Sequence, residues 1–289
     1  MHPTVIITGA NGFVGAFLVD YFTQKQWKVK AFARNPIKST SPLVAYHAFE
    51  MPDNIDESAF TGVDYLIHCA VAKHAIDLPN SDEINIEGTN KLLELSRKHK
   101  LKKFVFFSTM SAHDQAKSHY GKHKLLLEST FDLTQDVVLK PGLIMGQSGG
   151  LFSNIKETIQ KSKFVPMIDG GKQPIQTIHV LQLAEVIHTI FEKSLSGCFY
   201  LGETTPITMK AFYRGIAQAL NQKRTFVPLP SFLVGIGLRM AELFKIKLAV
   251  GTENLQGLKA LREFDTQPTS EALGIKFKSF DDNIRLIMD

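Results

Sequence analysis

The chain of 289 residues predicts an α/β protein, a doubly wound parallel sheet with a smaller domain interlaced at its C-terminal end. Three observations carry this reading. Short apolar runs alternate with helix-period segments through the first two-thirds of the chain. The first apolar run enters three glycines spaced three apart, with an apolar helical segment after them. Past about residue 145 the alternation loosens into loops containing Gly149-Gly150, Gly170-Gly171 and Val227-Pro228-Leu229-Pro230.

Taken in order, Thr4–Thr8 reads as a strand, Phe13–Lys25 as a helix and Trp27–Ala33 as a strand. Tyr65–Ala70 is the next strand, Asp82–His99 a helix, and Phe104–Ser108 a strand rich in Val and Phe. His119–Thr130 is then a helix and Val137–Lys140 a strand. Strands separated by helices pair in parallel and are covered on both faces. Residues 1–145 form the first domain, with a returning segment at about 173–195; residues 146–289 form mainly the smaller one. Ser231–Lys247 carries Arg239, Glu242 and Lys245 as a stripe, so it is expected to pack its apolar side on its own small domain, with docking on a membrane surface the weaker alternative.

Composition narrows the class. Hydrophobic residues make up 44% of the chain, which excludes a disordered one. Two cysteines, Cys69 and Cys198, cannot make a disulfide framework or a Cys-based zinc site and are expected in the core. Lys and Arg exceed Asp and Glu by 33 to 28. The densest basic run, Arg97–Lys103, contains no aromatic residue. It ends a helical pattern whose first turn holds Asp82 and Glu83, so it complements a helix dipole and does not suggest a nucleic-acid partner. The apolar run Phe232–Leu238 stops at Arg239, far short of the roughly 18 residues of a span. Val5-Ile6-Ile7 is too short for a signal segment, so a cytoplasmic chain without integral membrane association is expected.

The glycine turn is the most informative stretch. In Thr8-Gly9-Ala10-Asn11-Gly12-Phe13-Val14-Gly15, Gly9 permits the tight turn and Gly12 lets backbone approach a pyrophosphate. Gly15 lets helix and strand pack closely, and the helix start offers free N–H groups to an anion. A strand before and a helix after supply the context that the pattern needs, and the domain reads as Rossmann-type. The second strand ends in Ala33-Arg34-Asn35-Pro36-Ile37-Lys38, without the acid that an NAD ribose would call for. Arg34, helped by Lys38, suits a 2′-phosphate, so NADP is favoured over NAD.

Tyr120 and Lys124 lie four apart on one helix face, downstream of a strand ending in Ser108-Thr109-Met110-Ser111. A phenol needs help to exchange protons at neutral pH; an ammonium favours its charged form, and a hydroxyl can hold a substrate oxygen. These are the parts that move a proton on an alcohol or carbonyl while a nicotinamide moves the hydride.

With these residues the sequence resembles the short-chain dehydrogenase/reductase superfamily, in its extended or atypical branch. That branch holds NAD-dependent epimerases and dehydratases together with 3β-hydroxysteroid dehydrogenase and dihydroflavonol reductase-like members. The resemblance rests on the glycine turn, Asp64–Ala70, Asn85–Asn90, Lys140–Gly146, Ile178-His179-Val180, and Phe264-Asp265 through Ala272-Leu273-Gly274. It implies that Tyr120 is the acid/base, that Lys124 binds the ribose and lowers the tyrosine pKa, and that Thr109 aligns the substrate oxygen. It implies a cofactor set of Gly9, Asn11, Gly12, Phe13, Val14, Gly15, Cys69, Ala70, Val71, Asn85, Ser108, Pro141, Gly142 and Ile144, with Arg34 and Lys38. Ser111, Met145 and His179 fall on the substrate side. Thr109 and Tyr120 are 11 residues apart, fewer than in sugar epimerases, and Lys140 stands where Arg is usual. The shorter loop is similar to atypical members, some of which have lost catalysis.

Two competing constellations are weaker. Gly146-Gln147-Ser148-Gly149-Gly150 matches a nucleophile elbow with Asp169 and His179 following, but Pro141-Gly142 interrupts the strand that should drive into it. His119 and His123 are four apart yet lack a third ligand, so no metal is expected and a solvated helix face is. His179 reads equally as a core histidine. The expected activity is an NAD(P)-dependent oxidoreductase or epimerase acting on an alcohol/carbonyl pair of a small, partly apolar molecule, in a chain that could form a homodimer. The alternative is a non-catalytic NADP(H)-binding sensor or assembly factor.

Overall fold

A computed structural model describes residues 2–72, 80–243 and 251–288. In chain order they form β1 (Thr4–Thr8), α1 (Phe13–Gln24), β2 (Lys28–Ala33), β3 (Val44–Glu50), β4 (Asn54–Ile55) and β5 (Tyr65–His68). Then come α2 (Ser81–Lys98), β6 (Lys103–Phe107), α3 (His119–Glu128), β7 (Val137–Pro141), β8 (Leu143–Met145), α4 (Gly150–Lys161) and β9 (Phe164–Ile168). Next are β10 (Pro174–Ile175), β11 (Thr177–His179), α5 (Val180–Glu192), β12 (Gly197–Leu201), β13 (Ile207–Thr208) and α6 (Met209–Ala219). The chain closes with β14 (Thr225–Leu229), α7 (Ser231–Leu243), α8 (Thr252–Lys259), α9 (Gln267–Leu273) and α10 (Phe280–Met288). Two compact units result. One comprises Met1–Ser108, Leu126–Leu139 and Leu183–Phe199; the other comprises Thr109–Leu125, Lys140–Gln182 and Tyr200–Asp289.

The first unit is organised by a sheet of strand order β12-β7-β6-β5-β1-β2-β3-β4. β1 pairs in parallel with β2 on one side and β5 on the other, and β3, β6 and β7 continue the parallel pairing outward. The order therefore reverses between β1 and β5, the kind of switch point beside which doubly wound sheets bind ligands. The central strands are wholly buried, as the uninterrupted runs Val5-Ile6-Ile7 and Phe104-Val105-Phe106 require of strands covered on both sides. One face packs Phe32, Phe60, Leu66, Leu92, Phe104 and Phe106 into a continuous core. Elsewhere in the unit Tyr65 stacks on Phe191 at 4.1 Å between ring centres, and Phe22 lies 4.9 Å from Trp27.

α2 follows its expected logic. Asp82 and Glu83 occupy its first turn and Arg97 and Lys98 its last, while Gly88, Leu92 and Leu95 are buried. Gly88 is needed because a Cβ there would lie 2.6 Å from the Met51 side chain. In the sheet of the first unit, three strands escaped the sequence reading. β3 is a near-edge strand, mostly half-exposed with Phe49 buried, β4 has two residues, and β12 closes the opposite edge. β3 is broken by His47 and β4 is too short to carry an apolar run. Cys198 on β12 is exposed and not in the core, because that edge strand is half open; Cys69 is half-buried.

The second unit is built from small pieces. β8 pairs in parallel with β11, β9 in parallel with β14, and β10 antiparallel with β13. Phe152, Val165, Phe212, Ile216, Phe280 and Ile284 form its core with Met145. α7 departs from expectation. Its apolar side does not pack inward: Phe232, Leu233, Ile236 and Met240 are exposed, while Ser231 and Leu238 are buried. The last residues of the predicted helix, Phe244 and Lys245 among them, lie outside the described residues.

Candidate active site

The glycine turn at the end of β1 is shaped by close backbone approach. Gly9 has φ +66, and a Cβ on it would lie 3.0 Å from the Ala70 backbone. A Cβ on Gly15 would lie 2.2 Å from the Gly9 carbonyl oxygen, so only glycine allows α1 to start this close to β1. The Gly12 N–H donates to that same carbonyl at 2.8 Å, and Gly12 is the N-cap of α1 without any side-chain cap. Asn11 Nδ2 donates to the Asn35 carbonyl at 2.7 Å, which ties the turn to the loop after β2. Phe13 and Val14, half-buried, open the helix. A glycine turn closely approached by backbone, before a helix start with no side-chain cap, fits a dinucleotide pyrophosphate.

Beyond β2, Arg34 and Lys38 are both exposed, and among the described residues neither makes an ion pair or hydrogen bond with an acid. Ala33 precedes them, and no carboxylate stands in Arg34–Lys38. Both cations are therefore available to a phosphate.

A buried polar chain braces the other side of the turn, and sequence reasoning missed it. The Ala70 N–H donates to Thr8 Oγ1 at 3.1 Å, and Thr8 Oγ1 lies 2.8 Å from His68 Nδ1. His68 Nε2 lies 3.2 Å from Thr89 Oγ1 on α2. Asn85, buried, clamps the backbone after β5 from both sides, accepting from the Ala72 N–H and donating to the Ala72 carbonyl, each at 2.8 Å. Cys69 and Ala70, half-buried, and exposed Val71 lie on the segment so held. The signal that could have revealed the chain is polar residues on an otherwise apolar helix face, Ser81, Asn85 and Thr89.

Ser108, buried at the end of β6, donates its N–H to Leu139 at 2.8 Å and its hydroxyl to Glu128 of α3. In the second unit, the loop from Thr109 carries the candidate hydroxyls. Thr109 Oγ1 accepts from the Ser111 N–H at 3.2 Å, and its carbonyl accepts from the Ala112 N–H at 3.0 Å. Lys140, buried, donates through Nζ to the Ala112 carbonyl at 2.5 Å and lies 5.3 Å from the Tyr200 ring centre. The departure from Arg is thus a cation used to tie this loop down. Gly121 brings the loop onto α3: a Cβ on it would lie 2.4 Å from the Ser111 carbonyl oxygen. Gly121 is the second feature that the sequence reading passed over, and it sits beside Tyr120.

Tyr120 is 51% exposed and Lys124, one turn on, is buried. Loss of water around the phenol pushes its pKa above the ordinary tyrosine value, and the open half of the side chain limits that shift. Any lowering by Lys124 has first to offset this desolvation. His119 is exposed and His123 buried, their rings stacked 6.5 Å apart, so the pair is not the solvated face expected of it. Among the described residues no group of three His, Cys, Asp or Glu could hold a metal ion.

The remaining candidates gather where β8 meets β11. Gly142 follows buried Pro141 and donates to the Leu201 carbonyl at 2.9 Å; a Cβ on it would lie 2.2 Å from the Gln176 carbonyl oxygen. Ile144, half-buried, pairs with Ile178, and Met145 with His179. Met145 is wholly buried. His179 Nδ1 accepts from the Leu181 N–H at 3.2 Å at the start of α5, and burial, helped by Lys278, holds its pKa low. His179 is therefore a neutral histidine in use as a helix-start acceptor. Asp169 Oδ1 accepts from the Ser231 N–H at 2.8 Å, and among the described residues no hydrogen bond joins Ser148, Asp169 and His179. The nucleophile-elbow match lacks its triad.

The glycine cradle at the switch point of a doubly wound parallel sheet defines a nucleotide-binding α/β protein. Residues 5–199 match the NAD dependent epimerase/dehydratase family, and the chain belongs to that family. It is 22% identical to a UDP-glucose 4-epimerase of Vibrio cholerae over 96% of this chain and 91% of that one. It is also 22% identical to a ceramide reductase of Caulobacter vibrioides, again over 96% and 91%. The dTDP-glucose 4,6-dehydratase of Bacillus anthracis, solved in complex with NAD, superimposes with a TM-score of 0.73 at 15% identity. That match covers 99% of this chain and 95% of that chain. No described helix is long and apolar enough to cross a membrane.

Proposed function

We propose that the chain is an NADP(H)-preferring oxidoreductase or epimerase working on the alcohol/carbonyl pair of a small, partly apolar molecule. The observation that supports the chemistry is the close approach of the Ser111 carbonyl to Gly121, which packs the loop from Thr109 against the helix bearing Tyr120 and Lys124. The bound dinucleotide supplies hydride exchange at its nicotinamide ring. In the reducing direction the Tyr120 hydroxyl gives its proton to the carbonyl oxygen, and in the oxidising direction it takes the proton back. Thr109, with Ser111, holds that oxygen, and Lys124 supports the phenolate left behind. The raised phenol pKa keeps Tyr120 protonated at neutral pH, the state that reduction needs.

The cofactor is held by the Gly9–Gly15 turn, and Arg34 and Lys38 favour the 2′-phosphate of NADP because no carboxylate competes for them there. The short loop between Thr109 and Tyr120 supports an apolar substrate over a nucleotide sugar; the equal similarity to a ceramide reductase and to a UDP-glucose 4-epimerase does not separate the two. Fluorescence titration with NADPH and NADH should show tighter NADPH binding that Arg34→Ala reduces about tenfold, one lost phosphate contact. A screen of ketones, aldehydes and alcohols should then reveal cofactor consumption. Tyr120→Phe should lower kcat by about 10²–10⁴-fold and leave cofactor binding unchanged. Full turnover by Tyr120→Phe would sink the mechanism, and binding without consumption across the screen would point to a non-catalytic binding protein.

A further inference from the structure

The outward face of α7 is a feature that the proposed chemistry leaves unused. Phe232, Leu233, Ile236 and Met240 are 65%, 53%, 58% and 48% exposed. Positions 232, 236 and 240 recur every four residues and 233 lies beside them, so these side chains share one face of a single helix. Arg239, exposed, stands at the edge of that face. The opposite side is fixed to its own unit: Leu238 is buried, and the Ser231 N–H donates to Asp169 at 2.8 Å. Gly235 faces Leu255 of α8. The helix is thus held firmly by its inner side and presents four large apolar groups outward. Monomeric proteins seldom leave such a contiguous patch without a use.

Charge decides between occupants. The unit that carries α7 contains 20 Lys and Arg against 12 Asp and Glu, a formal +8, whereas the other unit contains 13 against 16. A second copy placed on this face would bring two strongly positive bodies together. An anionic lipid surface is attracted by the same charge and also takes up the apolar side chains.

We propose that α7 is an interfacial docking helix that seats the protein on an anionic lipid bilayer. Phe232, Leu233, Ile236 and Met240 enter the boundary between headgroups and acyl chains, and Arg239 reaches up to lipid phosphates. The seat does not depend on the catalytic reading, so its test needs neither substrate nor cofactor.

The full chain is sedimented with vesicles of phosphatidylcholine alone and of phosphatidylcholine with an equal share of phosphatidylglycerol. Binding to the anionic vesicles should exceed that to the neutral ones by at least about tenfold and weaken as salt is raised past about 0.1 M. Phe232→Glu with Ile236→Glu should lower anionic-vesicle binding by at least about tenfold, since each inserted apolar side chain is worth about a power of ten in partition. Both side chains face solvent, so the variant's melting temperature should stay with the wild type. No binding to either vesicle, or equal binding by the double variant, overturns the proposal. A vesicle-free dimer in sedimentation velocity that the double variant splits would assign the face to a second copy and also overturn it.

Discussion

Gly121→Ala tests whether the loop from Thr109 is shaped by its contact with α3. The added Cβ would meet the Ser111 carbonyl oxygen at 2.4 Å, Ser118 Oγ at 3.1 Å and Ala116 Cβ at 3.2 Å. An ordinary contact needs at least about 3.4 Å, so backbone must shift by about 1 Å. The helix has no clear direction of retreat, because the second and third contacts are already tight. The loop is anchored as well: Met110 donates to the Pro141 carbonyl at 3.1 Å and Lys140 to the Ala112 carbonyl at 2.5 Å. Overpacking of this kind costs about 1–3 kcal/mol, against a helix-propensity gain of at most about 1 kcal/mol. The net expectation is a loss of about 0–3 kcal/mol in stability. A shift of about 1 Å in the group that aligns substrate costs about 100-fold in turnover, so kcat should fall much further than the stability change suggests. Gly237→Ala is the control, since a Cβ there meets nothing within 4 Å and should stabilise by about 0.5–1 kcal/mol. Thermal unfolding and kcat are measured on both. If Gly121→Ala matches Gly237→Ala in stability and keeps wild-type turnover, the packing argument fails.

Three further outcomes are expected. Gly15→Ala places a Cβ 2.2 Å from the Gly9 carbonyl, so it should weaken NADPH binding by at least about tenfold in a fluorescence titration. Asn85→Ala removes both bonds to Ala72 and should lower stability by about 1–3 kcal/mol in urea unfolding; an unchanged midpoint would mean that the clamp is idle. Glu203 is buried, accepts from the Thr177 N–H and hydroxyl and the Phe280 N–H, and has its pKa raised, chiefly by burial. Its stabilising contribution is complete below the ordinary glutamate range and is lost as pH rises through the raised value. Melting temperature should accordingly fall over that window in the wild type and less so in Glu203→Gln; parallel curves would dismiss the linkage.

Much of the candidate site was legible because its signals are local. The glycine turn lies within eight residues, the basic loop follows one strand, and Tyr120 and Lys124 share one helix. What was missed depends on partners distant in sequence. Thr8, His68 and Thr89 make one chain across β1, β5 and α2, and neither histidine nor threonine declares such a partner in advance. Gly121 is constrained by the Ser111 carbonyl oxygen, ten residues earlier in the chain, and nothing beside it in the sequence signals that contact. His123 turned inward although spacing alone suggested an open face.

The sequence by itself determined the class of this protein, because strand–helix alternation and a glycine turn are consequences of backbone geometry that any packing must respect. It also determined the cationic end of β2, since no carboxylate stands there to compete. Only the tertiary structure decided which faces are covered. Ser231–Leu243 has an apolar side by composition, yet whether that side packs inward depends on what the rest of the chain supplies opposite it. Here Leu255 and Asp169 hold the inner side, and the apolar residues are left facing outward. Burial is a property of pairs of surfaces, and a sequence shows only one of each pair.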